Sequence, residues 1–300
     1  MAAFTSEEII QATGARLLKP AASVSFSDVC TDTRAIAKGS LFVAFKGTSF
    51  NGHDFVDKAL AAGAAGAVVS EVRPEYEGLT APIFVAADTL KAYQDLARFH
   101  RRRFAIPVVA VTGSVGKTST RNMIATVLSE KYRVLQTEKN FNNEIGLPKT
   151  LLQLTPDHEA CVVEMGMRGL GQIAELAAIG EPTIGVVTNV GKSHIELLGS
   201  QENIAKAKAE LVQALDEKGT AVLNGDDPFV RPMTALCKGK TVLYGTDDQA
   251  AVRADHIVCD QQGVRFHCSG AGQSFDVSVP VIGGHNVYNA LAAIAVGQLT

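Results

Sequence analysis

The hydrophobic and polar positions of the first part of the chain predict a small α/β domain. Thr5 and Glu8 have the spacing of a helix-capping box, and Gly14 is placed to end the helix that follows. Short apolar runs then predict strands at 40–45, 66–69 and 82–85, and residues 53–62 predict a helix that closes at Gly63. We place the end of this domain at residue 86.

From residue 88 onward the pattern changes to helices that alternate with apolar runs. Residues 88–103 have helical spacing and end in three arginines, which we interpret as cations that complement the negative end of the helix. Apolar runs at 107–111, 160–163, 183–188 and 220–223 predict strands buried on both faces, joined by helices in a parallel, doubly wound sheet. Shorter alternating segments follow at 252–258 and 264–267, and a helix begins at His285. We therefore expect an α/β chain with domains at 1–86 and 87–300.

Composition and charge narrow the class of protein. The chain has 300 residues, enough for two cores, with 46 % hydrophobic and 20 % charged residues. Its net charge of −3 gives no general attraction to nucleic acid or to an anionic membrane. No signal peptide or membrane-spanning run is visible, and the five cysteines are scattered without metal-binding spacing. We expect a cytoplasmic monomer with reduced thiols, which binds no nucleic acid and does not insert into membranes.

A glycine-rich loop joins the run at 107–111 to the start of a helix. It consists of Thr112, Gly113, Ser114, Val115, Gly116, Lys117 and Thr118. In such a loop, backbone N–H groups cradle phosphates, the lysine reaches the β and γ groups, and the threonine hydroxyl binds Mg²⁺. The full P-loop pattern has glycine at position 111, where this chain has Val111. The placement between a buried strand and a helix favours a phosphate-binding loop over a plain turn.

The shortened loop motif resembles that of the Mur ligase family, and so do several other segments. Those at 142–148, 163–166, 188–194 and 283–289 resemble its central domain, and those at 31–34 and 41–47 resemble its UDP-binding N-terminal domain. The resemblance covers essentially the whole chain. Within the family, the resemblance is strongest to the branch that adds D-alanyl-D-alanine, as judged from the asparagine-rich loop at 140–143 and the stretch 46–55.

The resemblance implies an ATP-dependent, ADP-forming peptide ligase of cell-wall peptidoglycan synthesis. ATP would phosphorylate the terminal carboxylate of UDP-N-acetylmuramoyl-tripeptide, and D-alanyl-D-alanine would attack the acyl phosphate, releasing phosphate. The first domain would bind the UDP substrate and the second ATP, while the family's third domain, which binds the amino component, is expected to be absent from this chain. The alternatives are an L-lysine- or diaminopimelate-adding member, a folylpolyglutamate-synthetase-like enzyme, a non-catalytic UDP-sugar- or nucleotide-binding homologue, and a generic P-loop switch.

The resemblance also implies two Mg²⁺ sites. Glu164 follows the run at 160–163 and would hold one ion together with Thr118. His194 and Lys208, fourteen positions apart, would hold the second, with the lysine carbamylated so that it carries a negative charge. Lys206, two positions away, falls on a different face of the helix.

Other polar residues are candidates to contact the substrate or the nucleotide. The substrate candidates are Asp32, Thr33, Arg34, Lys46, Thr48, Asn142 and Asn143. On the adenine side of ATP the candidates are Asn289 and, in the same helix, His285 and Asn286. Capping and turn formation are the alternative roles for the asparagines. The turn at 224–228 receives no chemistry.

Overall fold

The computed structural model describes residues 2–48 and 50–300, so Ser49 in the motif stretch 46–55 lies outside the described residues. The chain divides into two compact units. One comprises the residues up to Phe104 together with Leu151–Thr155, and the other comprises Ala105–Thr150 and Pro156–Thr300. The first unit extends past the boundary expected at residue 86, because the helix that follows this position packs against the first helix of the chain.

The first unit is a small α/β body. Its elements are β1 (Phe4–Thr5), α1 (Ser6–Thr13), β2 (Arg16–Leu17), β3 (Ser25–Phe26), β4 (Asp28–Cys30), a 3-10 helix (Thr33–Ala35), β5 (Ser40–Val43), a 3-10 helix (Gly52–Phe55), α2 (Val56–Ala61), β6 (Gly66–Val69), a 3-10 helix (Pro74–Gly78), β7 (Ile83–Val85) and α3 (Thr89–Arg101). Strands β2-β7-β6-β5-β4 form the main sheet, which is parallel except for the β2–β7 pair.

The first helix begins and ends where the sequence predicts. Thr5 accepts a hydrogen bond from the amide of Glu8, whose carboxylate in turn accepts one from the amide of Thr5, and Gly14 adopts the left-handed conformation at φ 66°. The predicted helix at 53–62 is a 3-10 turn followed by the short α2, because the segment from Gly52 to Phe55 forms its own capped turn.

Parallel strand order brings three loops of the first unit to one edge. Strands β4, β5 and β6 run side by side in the same direction, so their carboxyl ends meet there. The loops that follow them contain Arg34, Lys46 and Glu71, respectively. The carboxyl edge is where open α/β sheets bind ligands.

The second unit has a large, mostly parallel sheet. Its elements are β8 (Val108–Thr112), α4 (Lys117–Ser129), β9 (Val134–Gln136), α5 (Gly146–Leu151), β10 (Ala160–Glu164), α6 (Gln172–Gly180), β11 (Ile184–Val187), α7 (Ile195–Leu198), α8 (Gln201–Ala214), β12 (Thr220–Asn224), a 3-10 helix (Arg231–Leu236), β13 (Lys240–Gly245), β14 (Val252–Asp260), β15 (Gly263–Gly270), β16 (Gln273–Val279) and α9 (His285–Gly297). The strand order is β16-β15-β14-β13-β12-β11-β8-β10-β9, parallel from β9 to β14 and antiparallel beyond.

The continuous apolar runs of the sequence are the central strands of this sheet. Strands β8, β10, β11 and β12 are buried along their whole length, and α4 and α9 pack against each other and against the sheet. Burying each Val, Ile or Leu side chain contributes about 1.5–3 kcal/mol. The expected fold class is confirmed: a small α/β domain is followed by a P-loop domain on a mostly parallel, doubly wound sheet.

Strand β16 is not predicted by the sequence pattern. It is an edge strand whose side chains are largely exposed, so it lacks the apolar repeat that marks the central strands. Within the described residues, none of the five cysteines forms a disulfide, and no helix combines the length and the apolarity that crossing a membrane requires.

Candidate active site

The glycine loop lies at the carboxyl end of the buried central strand β8. Gly116 adopts φ 80°, a left-handed conformation that favours glycine, and the backbone turns there into α4. At Gly113 an added Cβ would lie 1.9 Å from the hydroxyl of Thr188, so this loop position has no room for a side chain. The close approach fixes the loop against the end of the neighbouring strand β11.

Residues after β11 hold the loop in place. The side-chain oxygen of Asn189 accepts a hydrogen bond of 3.0 Å from the amide of Val115, and its amide group donates one of 2.9 Å to the carbonyl of Val115. The hydroxyl of Thr188 donates to the same carbonyl at 2.9 Å. These three hydrogen bonds fix the backbone of the loop at Val115.

The lysine and the serine of the loop differ in their hydrogen bonding. The ammonium of Lys117 donates to the carbonyls of Gly113 at 2.9 Å and Ser114 at 3.3 Å, and burial lowers its pKa while the charge of Glu164 acts in the opposite direction. Ser114 Oγ is buried and has no hydrogen-bond partner among the described residues. A buried hydroxyl without a partner is costly, and a phosphate oxygen would satisfy it. Thr112 instead donates its hydroxyl to the carbonyl of Met165.

Glu164 is the buried carboxylate of the site. It ends β10, the strand next to β8, and is 2 % exposed. Thr118 Oγ1 donates to one carboxylate oxygen at 2.8 Å, and Asn142 Nδ2 donates to the other at 2.8 Å. The structure thus brings together the hydroxyl and the carboxylate that the sequence selected for a divalent cation.

A third side chain at Glu164 is missed by the sequence analysis. Arg121 lies one helical turn after Lys117 in α4, is buried, and has its Nη1 3.5 Å from a Glu164 carboxylate oxygen. The i, i+4 spacing from the loop lysine is the signal that was available. Thr137 also holds the backbone of Glu164 in place, since its hydroxyl accepts a hydrogen bond of 3.0 Å from the Glu164 amide.

Lys208 is buried and Lys206 is exposed, as the helical spacing predicts. Lys208 lies in α8 and is 3 % exposed. Burial, followed by the positive charge of Lys117, lowers the pKa of Lys208 to about 7. At neutral pH a substantial fraction of this amine is therefore unprotonated and nucleophilic.

His194 is not joined to this cluster by direct contacts. Its side chain is exposed, its backbone has φ 64°, and no hydrogen bond links its imidazole to another of the described residues. Among residues 2–48 and 50–300, no group of three or more histidines, cysteines and carboxylates is positioned to hold a metal ion. The role of His194 as a metal ligand stays a prediction.

A cavity of about 450 Å³ lies beside the glycine loop, and its lining mixes amides with aromatic rings. The lining residues are Val115, Gly116, Ser119, Thr188, Asn189, Asn224, Tyr244, His285, Tyr288 and Asn289. Asn289 is buried, accepts from the hydroxyl of Thr120 at 2.9 Å and donates to Asn286 at 3.0 Å. Of the candidates in α9, Asn289 and His285 line the cavity, whereas Asn286 supports Asn289.

The turn at 224–228, to which no chemistry was assigned, supports the cavity wall. Asp226 accepts a hydrogen bond of 3.0 Å from the hydroxyl of Tyr288 and two of 2.7 Å from the amide and hydroxyl of Thr246. Asn224 donates to the carbonyl of Thr188 at 2.9 Å. These contacts join residues 20 or more positions apart, so no local motif reveals them.

The two asparagines of the loop before α5 have separate roles. Asn142 contacts Glu164, as described, whereas Asn143 accepts from the amide of Gly146 at 2.9 Å and thereby caps α5. The alternative role for this loop, a polar turn before Gly146, therefore describes the contacts of Asn143.

The substrate candidates of the first unit are at its carboxyl edge. Arg34 is exposed and forms a bidentate ion pair with Asp32, at 2.9 and 2.7 Å, next to Thr33 in the same turn. Lys46 donates to Glu71 at 2.6 Å, and Thr48 is exposed. Exposed ion pairs contribute little to stability, so Arg34 can exchange its partner for an anionic ligand. The ammonium of Lys46 has three hydrogens to donate, so it can bind an anion while it keeps Glu71.

The fold and this site define a P-loop α/β protein, and comparison with known proteins gives its family. A model described as "Mur ligase middle domain" matches residues 111–297, and one described as "Mur ligase family, catalytic domain" matches residues 25–101. The chain belongs to the Mur ligase family, which confirms the resemblance found in the sequence.

Individual proteins are similar over most of this chain. A UDP-N-acetylmuramoyl-tripeptide–D-alanyl-D-alanine ligase of Synechocystis sp. is 46 % identical over 279 residues, 92 % of this chain and 58 % of the relative. MurF from Acinetobacter baumannii matches with a TM-score of 0.91 at 29 % identity, over 99 % of this chain and 65 % of the other. MurF ligase from Thermotoga maritima, solved in complex with ADP, matches with a TM-score of 0.82 at 29 % identity, over 91 % and 62 %. The chain thus spans about three fifths of the length of these proteins.

Proposed function

We propose that this chain forms the UDP-substrate-binding and ATP-binding parts of a ligase that adds D-alanyl-D-alanine to UDP-N-acetylmuramoyl-tripeptide. The observation that carries the proposal is the meeting of the P-loop and the Thr118–Glu164 pair at one sheet edge, with a buried lysine, Lys208, whose pKa is lowered by burial and by the charge of the loop lysine Lys117. The names of the similar proteins support the choice of substrates. A protein that only binds nucleotides has no need of a buried lysine whose pKa is lowered by burial and by the charge of the P-loop lysine.

ATP is proposed to bind along the glycine loop. The backbone of residues 112–118 would surround the phosphates, with Ser114 Oγ and the ammonium of Lys117 as further donors. The adenine would occupy the cavity that Asn289 and Tyr288 line. A volume of about 450 Å³ lies within the ordinary range for small-ligand sites.

Two magnesium ions are proposed to accompany ATP. Thr118 and Glu164 would hold one, and their hydroxyl and carboxylate oxygens are the ligands that Mg²⁺ prefers. His194 and Lys208 would hold the other. Bound Mg²⁺ would neutralise charge that develops on the transferring phosphoryl oxygens.

Carbamylation is proposed to convert Lys208 into an anionic ligand. The unprotonated amine attacks the carbon of CO₂ and loses a proton, which gives a carbamate with carboxylate-like oxygens. The pKa of about 7 supports this step, because an ordinary lysine is almost entirely protonated at neutral pH.

The chain's own residues would act in a two-step reaction. A carboxylate oxygen of the tripeptide attacks the γ-phosphorus and ADP departs, and then the amine of D-alanyl-D-alanine attacks the acyl carbon and phosphate departs. Lys117 would stabilise charge on the transferring group. Asn142, through its contact with Glu164, would keep that carboxylate in one orientation. Asn143 would act indirectly, by shaping the loop before α5.

The first unit is proposed to bind the UDP part of the substrate. Arg34 and Lys46 are exposed cations on neighbouring loops of its carboxyl edge and would contact the diphosphate. Asp32, Thr33 and Thr48 would supply acceptors and hydroxyls for the uridine and the sugar. We further propose that the protein acts as a monomer in the cytoplasm, where ATP is available and thiols stay reduced.

A product assay tests the proposal. The full-length protein is incubated with UDP-N-acetylmuramoyl-tripeptide, ATP, Mg²⁺ and D-alanyl-D-alanine, and the amide product is sought by mass spectrometry. L-Lysine and diaminopimelate serve as alternative acceptors, and Lys117→Ala is the inactive control. Preferential use of L-lysine or diaminopimelate would overturn the choice of acceptor. If the protein binds ATP and the UDP substrate but forms no product with any acceptor, it is a non-catalytic binding protein and the proposed ligase activity is wrong.

A binding experiment tests whether the two units bind different ligands. Lys117→Ala should abolish measurable ATP binding and leave the affinity for UDP-N-acetylmuramoyl-tripeptide unchanged. Arg34→Ala should weaken binding of the UDP compound with little effect on ATP. Both are measured by isothermal titration calorimetry, and equal effects of both variants on both ligands would contradict the division.

A further inference from the structure

The motif stretch that includes Gly52 and His53 has a structural role that the proposed reaction does not use. His53 lies in the 3-10 turn after β5 and is 2 % exposed. The hydroxyl of Tyr76 donates a hydrogen bond of 3.0 Å to the backbone carbonyl of His53, which fixes the position of the turn. His53 is therefore a buried histidine that lies next to the loop carrying Lys46.

The hydrogen bonds of His53 determine its tautomer. The backbone amide of Ser70 donates to Nε2 at 2.8 Å, and the amide of Glu71 approaches the same atom at 3.3 Å. A backbone amide only donates, so Nε2 must be the unprotonated acceptor and Nδ1 carries the hydrogen. Nδ1 then donates to the side-chain oxygen of Asn51 at 2.6 Å. Burial lowers the pKa of His53, which favours this neutral form.

The tautomer of His53 sets the orientation of Asn51. Because the oxygen of the Asn51 amide accepts from His53, its nitrogen must point the other way, and it donates to Glu71 at 3.2 Å. The second carboxylate oxygen of Glu71 accepts from the ammonium of Lys46 at 2.6 Å. A continuous chain of hydrogen bonds therefore runs from the buried imidazole to the exposed lysine.

The backbone of the loop is closed at its base. Lys46 and Asn51 pair as an antiparallel bridge, and the amide of Gly52 donates to the carbonyl of Phe45 at 2.6 Å. An added Cβ at Gly52 would lie 2.6 Å from that carbonyl oxygen, so only glycine permits this closure. The position of the ammonium of Lys46 is thus set both by the backbone and by the side-chain network.

We propose that His53 is a positioning residue for the UDP substrate: through Asn51 and Glu71 it holds the Lys46 ammonium at the carboxyl edge, ready for the diphosphate. The inference rests on the proposed substrate contact of Lys46. A lysine that is already ordered loses less side-chain freedom when the ligand binds, which corresponds to an effect on affinity on the order of tenfold.

Calorimetric titration with UDP-N-acetylmuramoyl-tripeptide tests the proposal. His53→Leu removes the hydrogen bonds of both ring nitrogens and should weaken binding of this compound about tenfold, with unchanged affinity for a non-hydrolysable ATP analogue. His53→Gln keeps one donor and one acceptor and should restore most of the affinity. Asn51→Ala breaks the same chain without replacing the buried ring, and it should give the same selective loss even where His53→Leu folds poorly.

A matched control and a coupling experiment decide between positioning and mere stabilisation. His100→Leu replaces another buried, hydrogen-bonded histidine of the same unit, and it should lower thermal stability without changing affinity for the UDP compound. In a Lys46→Ala background, His53→Leu should have no further effect on binding.

Each outcome identifies what has failed. Wild-type affinity in Lys46→Ala would refute the proposed substrate contact itself. Weakened binding in Lys46→Ala but wild-type affinity in both His53→Leu and Asn51→Ala would overturn the positioning role. Equal losses of UDP-compound affinity in His53→Leu and His100→Leu would also overturn it, since they would reduce the effect to general destabilisation.

Discussion

The hydroxyl of Thr118 lies 2.8 Å from a carboxylate oxygen of Glu164, across 46 positions of sequence. The two residues meet because β8 and β10 are parallel neighbours, so that the start of α4 and the end of β10 lie at the same sheet edge. Asn142 donates to the other carboxylate oxygen, and Arg121 Nη1 lies 3.5 Å from the oxygen that Thr118 contacts, so the carboxylate is oriented and buried. Such a fixed pair is what a cation bridging ATP phosphates requires.

Glu164→Gln should weaken ATP binding only when magnesium is present. The amide keeps the shape of the side chain but loses the charge that would hold the ion, so the affinity for ATP with Mg²⁺ should fall at least about tenfold. Titrations with Mg²⁺ and with EDTA measure the difference, and Glu217→Gln, an exposed glutamate of the same unit, is the control. An equal loss under both conditions would argue against a metal ligand.

Lys208→Ala should reduce turnover about 10²- to 10³-fold while binding of the UDP compound is preserved, because an anionic ligand near the transferring phosphoryl group is lost. Lys206→Ala, two positions away on the exposed face, should behave like the wild type. Formate should partly restore activity in Lys208→Ala by replacing the carbamate. Carbon-13 NMR in labelled bicarbonate should detect a carbamate in the wild type only, and its presence in Lys208→Ala would refute the assignment.

Tyr288→Phe should weaken the binding of ATP about fivefold but leave the binding of inorganic triphosphate unchanged. The hydroxyl of Tyr288 is held by Asp226 at 3.0 Å, and a hydrogen bond to a charged group is worth about 1.5–3 kcal/mol, part of which fixes the ring in the cavity wall. Tyr132→Phe, whose hydroxyl contacts a carbonyl far from the cavity lining, is the control. Equal weakening for ATP and triphosphate would show that the cavity does not hold the base.

His100 should make the free energy of unfolding depend on pH in a defined window. Burial lowers its pKa in the folded state from 6.5 to about 4, so between these values the unfolded state binds more protons and stability falls as the pH falls. At about 1.4 kcal/mol per pKa unit, the loss reaches about 3 to 4 kcal/mol and is complete below pH 4.

His100→Gln should remove this contribution, because a neutral amide can donate to the carbonyl of Leu154, as Nε2 does at 2.9 Å, without titrating. Urea denaturation at pH 5 and pH 7 measures it as the difference between variant and wild type. If the two proteins lose the same free energy between these pH values, the attribution to His100 is wrong.

The structure also gives hydrogen-bond partners to residues that the sequence analysis selected as substrate contacts. Arg34 and Asp32 were both expected to contact the substrate, and in the structure they form a bidentate ion pair with each other. Asn143 caps a helix, whereas Asn142 reaches Glu164. Each asparagine or arginine has several candidate hydrogen-bond partners nearby, and the sequence does not indicate which of them it contacts.

The sequence by itself determined the fold class, the order of the central strands along the chain and the positions of the glycine loop, Glu164 and Lys208. These features depend on local signals: the apolar periodicity, the glycines at loop positions where the backbone favours or requires glycine, and the 3.6-residue repeat that places Lys208 and Lys206 on different faces of a helix. The tertiary structure alone decided which side chains meet. The Arg121–Glu164 pair, the support of Tyr288 by Asp226 and the chain from His53 to Lys46 join residues brought together by strand order. Strand order and burial are properties of the whole packed chain, and they fix partners, tautomers and pKa values that no local pattern contains.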